Sequence, residues 1–483
     1  MSLTRREALV LGAGALLTTA CGGSRSASAG DTGSTLASTW FDPGGTGTLA
    51  PGPGEGLIAR TELGPARAAE GVIATLAHVT DAHVLDASSP ARVPFLDRLG
   101  PPFESTFRPH ETLTAQVLAG AARAIRTLRP DAVIQGGDLI DNDQRNELAW
   151  AVAALRGGMV RPDDYFGVQL ASDPDPFYYR PDLDAPQHPG LLSRAARSFF
   201  SMGAGAPVYP VLGDHDILVA GELAPTAETR ALAVGGEALW ELPPGLSLPP
   251  GTSLTAGGSP DGPPLPGLVQ GFLARALAGP KVHVPANPSR REMDAAEAIG
   301  ILRAGAGSSL DYAVDVERDL RLIVLDLARR AGGSGGLVRP DQPGWLASQL
   351  RESGGRWVIL VSHQPLASSE GGESLLTLLD SDPSVIAVLS GHTHRNLIEP
   401  RAHYWLISTA SLIDYPQQAR ALRVLRTAGG GVAIQTWMLD HAFPGDLGTI
   451  SRQLAYLDAQ GGRPKGMAGG RLDRNVTLYR AAV

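Results

Sequence analysis

The chain has 483 residues, of which 43% are hydrophobic and 19% charged, so it can bury a large core and has room for more than one domain. A net charge of -8, with the basic residues spread along the sequence, lacks the clustered positive footprint that nucleic acid requires. One cysteine, Cys21, excludes an internal disulfide framework.

In chain order, Arg5-Arg6 precedes an apolar run from Ala8 to Leu17, too short to span a bilayer but suited to a signal-peptide core. The paired arginines resemble a twin-arginine export signal, and Leu17-Thr18-Thr19-Ala20-Cys21 resembles a bacterial lipobox, in which the cysteine is acylated. The expectation is an exported protein of the cell envelope or exterior, either attached to the membrane through a lipidated Cys21 or released by ordinary signal cleavage with the cysteine incidental. Gly22 to Gly56 is rich in Gly, Ser, Thr and Pro without apolar period and reads as a tether. The boundaries read as a signal over 1–30, a flexible linker over 31–70, a catalytic domain over 71–447 and a C-terminal extension over 448–483.

Short apolar runs predict buried strands at Val72 to Thr80, Ala132 to Gln135, Val208 to Leu212, Leu322 to Leu325, Trp357 to Val361 and Val385 to Leu389. Between the first two, Leu113, Val117, Leu118, Ala121, Ala122, Ile125 and Leu128 recur at helical spacing, and Pro130 ends that helix. Helical patterns over Glu147 to Leu155 and Trp345 to Leu350 continue the alternation, so the class is α/β with covered sheet faces. Two long insertions, 156–191 and 224–307, interrupt it and read equally as lid elements or surface decoration. A last helix is expected over Ile450 to Leu457. Asn475-Val476-Thr477 matches a glycosylation sequon that chance explains better.

Each of five predicted strands ends in metal-capable side chains: Asp81-Ala82-His83, Gly137-Asp138-Leu139-Ile140-Asp141-Asn142, Gly213-Asp214-His215-Asp216, Ser362-His363-Gln364-Pro365 and Gly391-His392-Thr393-His394. One such pair is a weak signal. Five just past strand ends converge on the crevice where α/β sheets hold ligands.

The order of these motifs resembles the calcineurin-like metallophosphoesterases, with D-x-H, G-D-x-x-D, G-N-H-D/E, H and G-H-x-H in sequence. The resemblance covers roughly Gly71 to Leu439, and Arg452 to Arg480 looks like an exported actinobacterial subgroup. It implies a four-layer αββα sandwich of two mixed β-sheets flanked by helices. It also implies that Asp81, His83 and His394 hold one metal, Asp138 bridges, and Asp214, His363 and His392 hold the other. His215 would assist the leaving oxygen, with Asp216 orienting its imidazole, while Asp141 and Asn142 would fix the loop around Asp138.

The implied reaction is hydrolysis of a small-molecule phosphoester by a hydroxide activated between two cations about 3.5–4 Å apart. Imidazole and carboxylate ligands without thiolate suit Mn, Fe or Zn. The family usually has asparagine where Asp214 stands, which adds a carboxylate, strengthens metal binding and reduces Lewis acidity. A diester, with one negative charge, is favoured over a dianionic monoester. The rival expectation is a metal-binding exported lipoprotein that catalyses nothing. Oligomeric state is left open. Among other histidines, His78 reads as structural and His403 as a residue near the substrate in about one case in four. His110, His188, His283 and His441 carry no assigned role. Arg395 and Asn396 read equally as phosphate contacts or solvent-facing loop.

Overall fold

The computed structural model describes residues 33–91, 110–163, 179–239, 278–303, 309–461 and 467–482, with Pro243, Gly245, Leu246 and Arg275 between them. The signal segment and Cys21 lie outside these residues.

Two sheets dominate. The first has seven strands: β1 (Ile58–Leu63), β2 (Ala69–Val79), β3 (Ala132–Gln135), β4 (Val208–Pro210), β11 (Gln418–Thr427), β12 (Val432–Asp440) and β13 (Val476–Arg480). Their spatial order is β1-β13-β12-β11-β2-β3-β4. The second has six: β5 (Tyr312–Glu317), β6 (Leu320–Leu325), β7 (Trp357–Ser362), β8 (Val385–Ser390), β9 (Leu397–Arg401) and β10 (Tyr404–Ser408), ordered β5-β6-β7-β8-β10-β9. Both sheets are mixed. β2, β3 and β4 run parallel in one, and β6, β7, β8 and β10 run parallel in the other.

Alternation along each strand decides what each face covers. On β2, Ala74, Leu76 and His78 stand opposite Val424, Leu422 and Arg420 of β11. On the second sheet, Leu322, Val324, Ile359, Val361 and Leu389 join the same core, whereas Ile323, Leu325, Val358, Leu360 and Val388 pack on helices α4 (Gln342–Arg351) and α5 (Gly372–Ser381). The outer face of the first sheet is covered by α1 (Thr114–Leu128) and α2 (Arg145–Arg156), whose buried stripe on α1 is Val117, Leu118, Ala121, Ala122 and Ile125. Helix, sheet, sheet and helix therefore stack as four layers. Each fully buried Leu or Ile contributes about 1.5–3 kcal/mol. The helix α1 stops where Arg129 turns left-handed at φ 52, because the following Pro130 disfavours continued helix.

The inter-sheet layer is not wholly apolar. Fully buried Arg420 donates to Thr409 Oγ1, Thr436 Oγ1, Asn396 Oδ1, Ser408 O and Asp473 O, and His78 Nδ1 lies 2.9 Å from Thr409 Oγ1. These bonds tie both sheets together beneath the strand ends. They give His78 its structural role and take Asn396 away from any ligand.

Two readings of the sequence differ from the structure. The segment 31–70 is not a free linker from residue 34 onward: Ser38–Phe41 pairs with Ala50–Pro53, and β1 pairs in parallel with β13. Low apolar content hid this, because Thr35 is held instead by hydrogen bonds to Met438 O and Asn475 Oδ1. Nor is 448–483 an appendage, since it supplies β13 inside the first sheet, and a helix, Asp446–Gly461, longer than the expected one. Asn475 itself is buried, in keeping with a chance sequon.

The described parts of the insertions are ordered. Gly158–Val160 pairs with Phe199–Ser201, and Glu237–Leu239 with Lys281–His283. The larger insertion docks behind the strand ends: buried Arg290 reaches buried Asp86 at 2.7 Å, and Gln144 bridges Glu292.

Candidate metal centre

All five motifs follow the carboxyl ends of strands. Asp81 and His83 follow β2, Asp138 follows β3, Asp214 and His215 follow β4, His363 follows β7, and His392 and His394 follow β8. Because those strands are parallel within each sheet and the sheets stack, their ends open on one crevice.

The loops there are unusually constrained. Asp81, His83, Asp138, His392 and His394 all have positive φ, between 42 and 64°. For non-glycine residues this conformation is unfavourable and marks sites where side-chain placement overrides backbone preference. Gly137 makes room: at its φ of 96° an added Cβ would stand 2.3 Å from His363 Nδ1.

Two four-residue sets result, each offering ligand atoms that lie within 4.8 Å of one another: Asp81, His83, Asp138 and His394, and Asp138, Asp214, His363 and His392. Asp138 belongs to both. Its Oδ2 is 3.0 Å from His363 Nε2 and 3.8 Å from His83 Nε2. Within the first set, His394 Nε2 is 3.3 Å from Asp81 Oδ1. Within the second, Asp214 Oδ1 is 3.3 Å from His363 Nε2 and 3.4 Å from His392 Nδ1. Ligands about 2.0–2.2 Å from a common cation have this mutual spacing.

Hydrogen bonds on the far side of each ring test whether cations fit. His83 Nδ1 is 3.2 Å from Asp141 Oδ1, His394 Nδ1 is 2.5 Å from Asp414 Oδ2, and His363 Nδ1 is 2.8 Å from Gly136 O. With those nitrogens donating, each Nε2 of a neutral ring carries a lone pair. The Nε2 atoms of His83 and His394 then face each other at 3.2 Å, and buried Nε2 of His363 makes no hydrogen bond among the described residues. Opposed lone pairs and an orphaned nitrogen among carboxylates are what cations would satisfy. The donor set therefore fits two metal ions.

Protons fill part of that role in the protein alone. Burial works against charge on His394, but Asp81 and Asp414 outweigh it and push its pKa up to about 10. Burial likewise opposes Asp81 and Asp214, yet neighbouring imidazoles hold both carboxyls below the usual range, so both are ionised. Gln364 Nε2 donates to Asp214 Oδ1 at 2.9 Å, and Thr80 Oγ1 to Asp81 Oδ2 at 2.6 Å.

His215 stands beside the sets. Its Nδ1 is fixed at 2.7 Å from Asp141 O, its Nε2 is 4.0 Å from Asp214 Oδ2, and its backbone N–H donates to Asp138 Oδ1. Burial lowers its pKa, but Asp138, Asp214 and Asp141 overcome this and raise it to about 9.

Asp216 requires correction. It does not orient His215; its carboxylate accepts from the backbone N–H groups of Leu139, Ile140 and Gly213 and so braces the Asp138 loop against the Asp214 loop. The chain turns between His215 and Asp216, which sends the carboxylate under the loops, buried, while His215 faces the crevice. The group that orients His215 is Asp141. Asn142 holds the loop, as expected, by accepting from Ala220 N–H.

Motif reading also missed Asp414. It lies outside every motif, in a turn closed by Ser411, and only its position before Tyr415-Pro416 marks a turn. His403 is remote from the crevice, its Nε2 2.8 Å from Asp382 O on the β9–β10 side. Arg395 is exposed beside His394.

No protein-family profile matches the chain. A curated protein of Synechococcus sp. strain WH7803, named probable cyclic nucleotide phosphodiesterase, is 32% identical over 108 residues, which cover 19% of this chain and 40% of that protein. The chain thus spans less than half of that relative's length. Among solved structures, a dimetal phosphatase from Danio rerio aligns over 77% of this chain and 100% of its own, at 13% identity and a TM-score of 0.41. A 5'-nucleotidase from Staphylococcus aureus, solved with alpha-ketoglutarate, aligns over 79% and 57% at 11% identity and a TM-score of 0.31.

Proposed function

We propose that the chain is a dinuclear-metal phosphoesterase whose centre is Asp81, His83, Asp138 and His394 for one ion and Asp138, Asp214, His363 and His392 for the other. The observation that carries this reading is the pair of ligand sets sharing Asp138, with lone pairs facing inward and His363 Nε2 making no hydrogen bond among the described residues. Bound there, two divalent cations would supply an activated water and withdraw charge from phosphoryl oxygens. Mn, Fe or Zn suits imidazole and carboxylate donors without thiolate.

The chain's own residues supply the rest. His215, its Nδ1 held by Asp141 O, presents Nε2 toward the crevice and donates a proton to the departing oxygen. Asp216 keeps the Asp138 and Asp214 loops at fixed separation. The ionised Asp81 and Asp214 favour a monoanionic diester over a dianionic monoester. The cyclic nucleotide phosphodiesterase named above, similar over part of the chain, supports the same preference. Export through the Arg5-Arg6 signal, acylation at Cys21 and membership of an exported metallophosphoesterase subgroup belong to this proposal, and rest on those residues and on the motif order.

The test is to strip the purified chain with chelator, reload it with Mn, Fe, Zn or Co, count bound metal, and assay nitrophenyl phosphate mono- and diesters. Two bound ions with faster diester hydrolysis are expected. Two bound ions with no hydrolysis of either ester would instead identify a binding protein on the same scaffold.

A further inference from the structure

Near the amino ends of β3 and β4, the ribbon of Gly158–Val160 and Phe199–Ser201 turns one face inward and one outward. Val160 is buried and Phe199 packs on Phe443, with ring centroids 5.2 Å apart. Alternation places Met159, Phe200 and Met202 on the other face, and they are 44%, 63% and 63% exposed. Such large apolar side chains grouped in water are not explained by folding.

A cationic row borders them. Arg123, Arg126 and Arg129 are exposed at three-residue spacing along the end of α1, and Arg126 Nη1 donates to Met202 O. None of the three forms an ion pair among the described residues.

The position of this face follows from the topology. Helix α1 runs away from the strand carboxyl ends and finishes at the start of β3, and α2 likewise finishes at Arg156, just before the ribbon. With 12 to 15 residues in these helices, the face lies about 20 Å from the metal centre.

The described structure begins at Gly33, held between buried Ala124 of α1 and the end of β12, where Asp440 N–H donates to Gly33 O. Gly33 lies against α1, where the Cβ it lacks would stand 2.8 Å from Ala124 Cβ, between Arg123 and Arg126 in sequence. Only the stretch from Gly22 to Thr32 separates it from Cys21, which extended would span at most about 40 Å.

We infer that the ribbon and the end of α1 form a docking face for an anionic lipid surface. Met159, Phe200 and Met202 enter the acyl boundary while the arginine row meets the headgroups. A side chain such as Phe200 in the boundary and cations at the headgroups are the two signals that together make interfacial attachment stable. Docked this way, the metal centre faces away from the lipid, so the substrate arrives from solution.

The test uses a chain beginning at Gly22, which keeps every described residue, and cosedimentation with vesicles of equal phosphatidylglycerol and phosphatidylcholine. Binding is expected, weakened by salt, much weaker on phosphatidylcholine alone, and reduced more than tenfold by Phe200→Ser with Met202→Ser or by Arg126→Glu with Arg129→Glu. All variants should keep their thermal midpoint and metal content. Absence of vesicle binding, or variants that bind as the unaltered chain does, overturns the inference. So does concentration-dependent dimerisation that the same substitutions abolish, since the face would then meet a second copy. None of these readouts depends on hydrolysis.

Discussion

In the first ligand set His83 and His394 each lean on a carboxylate, Asp141 and Asp414, whereas in the second His363 leans on the carbonyl of Gly136. A carboxylate behind an imidazole makes its far nitrogen more basic than a carbonyl does. Beside the shared Asp138 each set has one carboxylate of its own, Asp81 in the first, which accepts from Thr80 Oγ1, and Asp214 in the second, which accepts from Gln364 Nε2. The carboxylates offered directly are thus matched, and the sets differ in the carboxylates that stand behind the rings of the first. The first ion, with the more basic imidazoles, should be the more tightly held.

The largest break comes from the residue both sets share. Asp138→Asn should remove both ions and abolish hydrolysis, exceeding the ~10–100-fold loss typical for a group behind a ligand; metal analysis and turnover check it. Asp414→Asn should fall within that ~10–100-fold range for the first ion alone, read by titrating metal back into the stripped protein. Retention of first-site affinity would show that the contact at His394 Nδ1 is only structural. Asp214→Asn should weaken the second ion while leaving turnover per loaded site unchanged or higher, because less anionic charge offsets the cations. A large fall in turnover at full metal occupancy would remove that account.

Protonation sharpens the comparison further. The pKa values of His215 and His394 rise from 6.5 to about 9 and about 10, as the aspartates outweigh burial. Proton binding is then tighter in the folded than in the unfolded chain. Its contribution is complete below about 6.5 and is lost as pH climbs through 9 to 10. The thermal midpoint of the metal-free protein should fall between pH 7 and 10, and less so with metal bound. Metal uptake should release protons, so affinity should drop on acidification. The smallest effect is expected for His403→Ala, with hydrolysis within about twofold, because its partner is Asp382 O far from the crevice.

The residues of the two sets were legible in the sequence because they sit directly after strongly apolar strands: Val358 to Val361 before His363, and Val385 to Leu389 before His392. A strand fixes where its next residues go. What stands behind those ligands was not legible. Asp414 and Gly136 act through a bond that joins distant parts of the chain, and nothing local distinguishes Asp414 from any turn aspartate. Asp216 misled for a related reason: adjacency to His215 suggested contact, but the turn between them sends its carboxylate to three backbone N–H groups. The edge of the first sheet was hidden as well, since β1 carries Ala59, Arg60, Thr61 and Glu62 and owes its place to pairing with β13.

That pairing has a consequence for how the molecule is made. In the first sheet β13 lies between β1 and β12, and Asn475 bonds Glu55 across 420 residues. On the ribosome, β1 emerges early and lacks its partner strand in this sheet until β13 has followed it out. The sheet edge therefore closes only after synthesis has reached β13, and a chain cut short before Val476 would leave β1 without a strand to join.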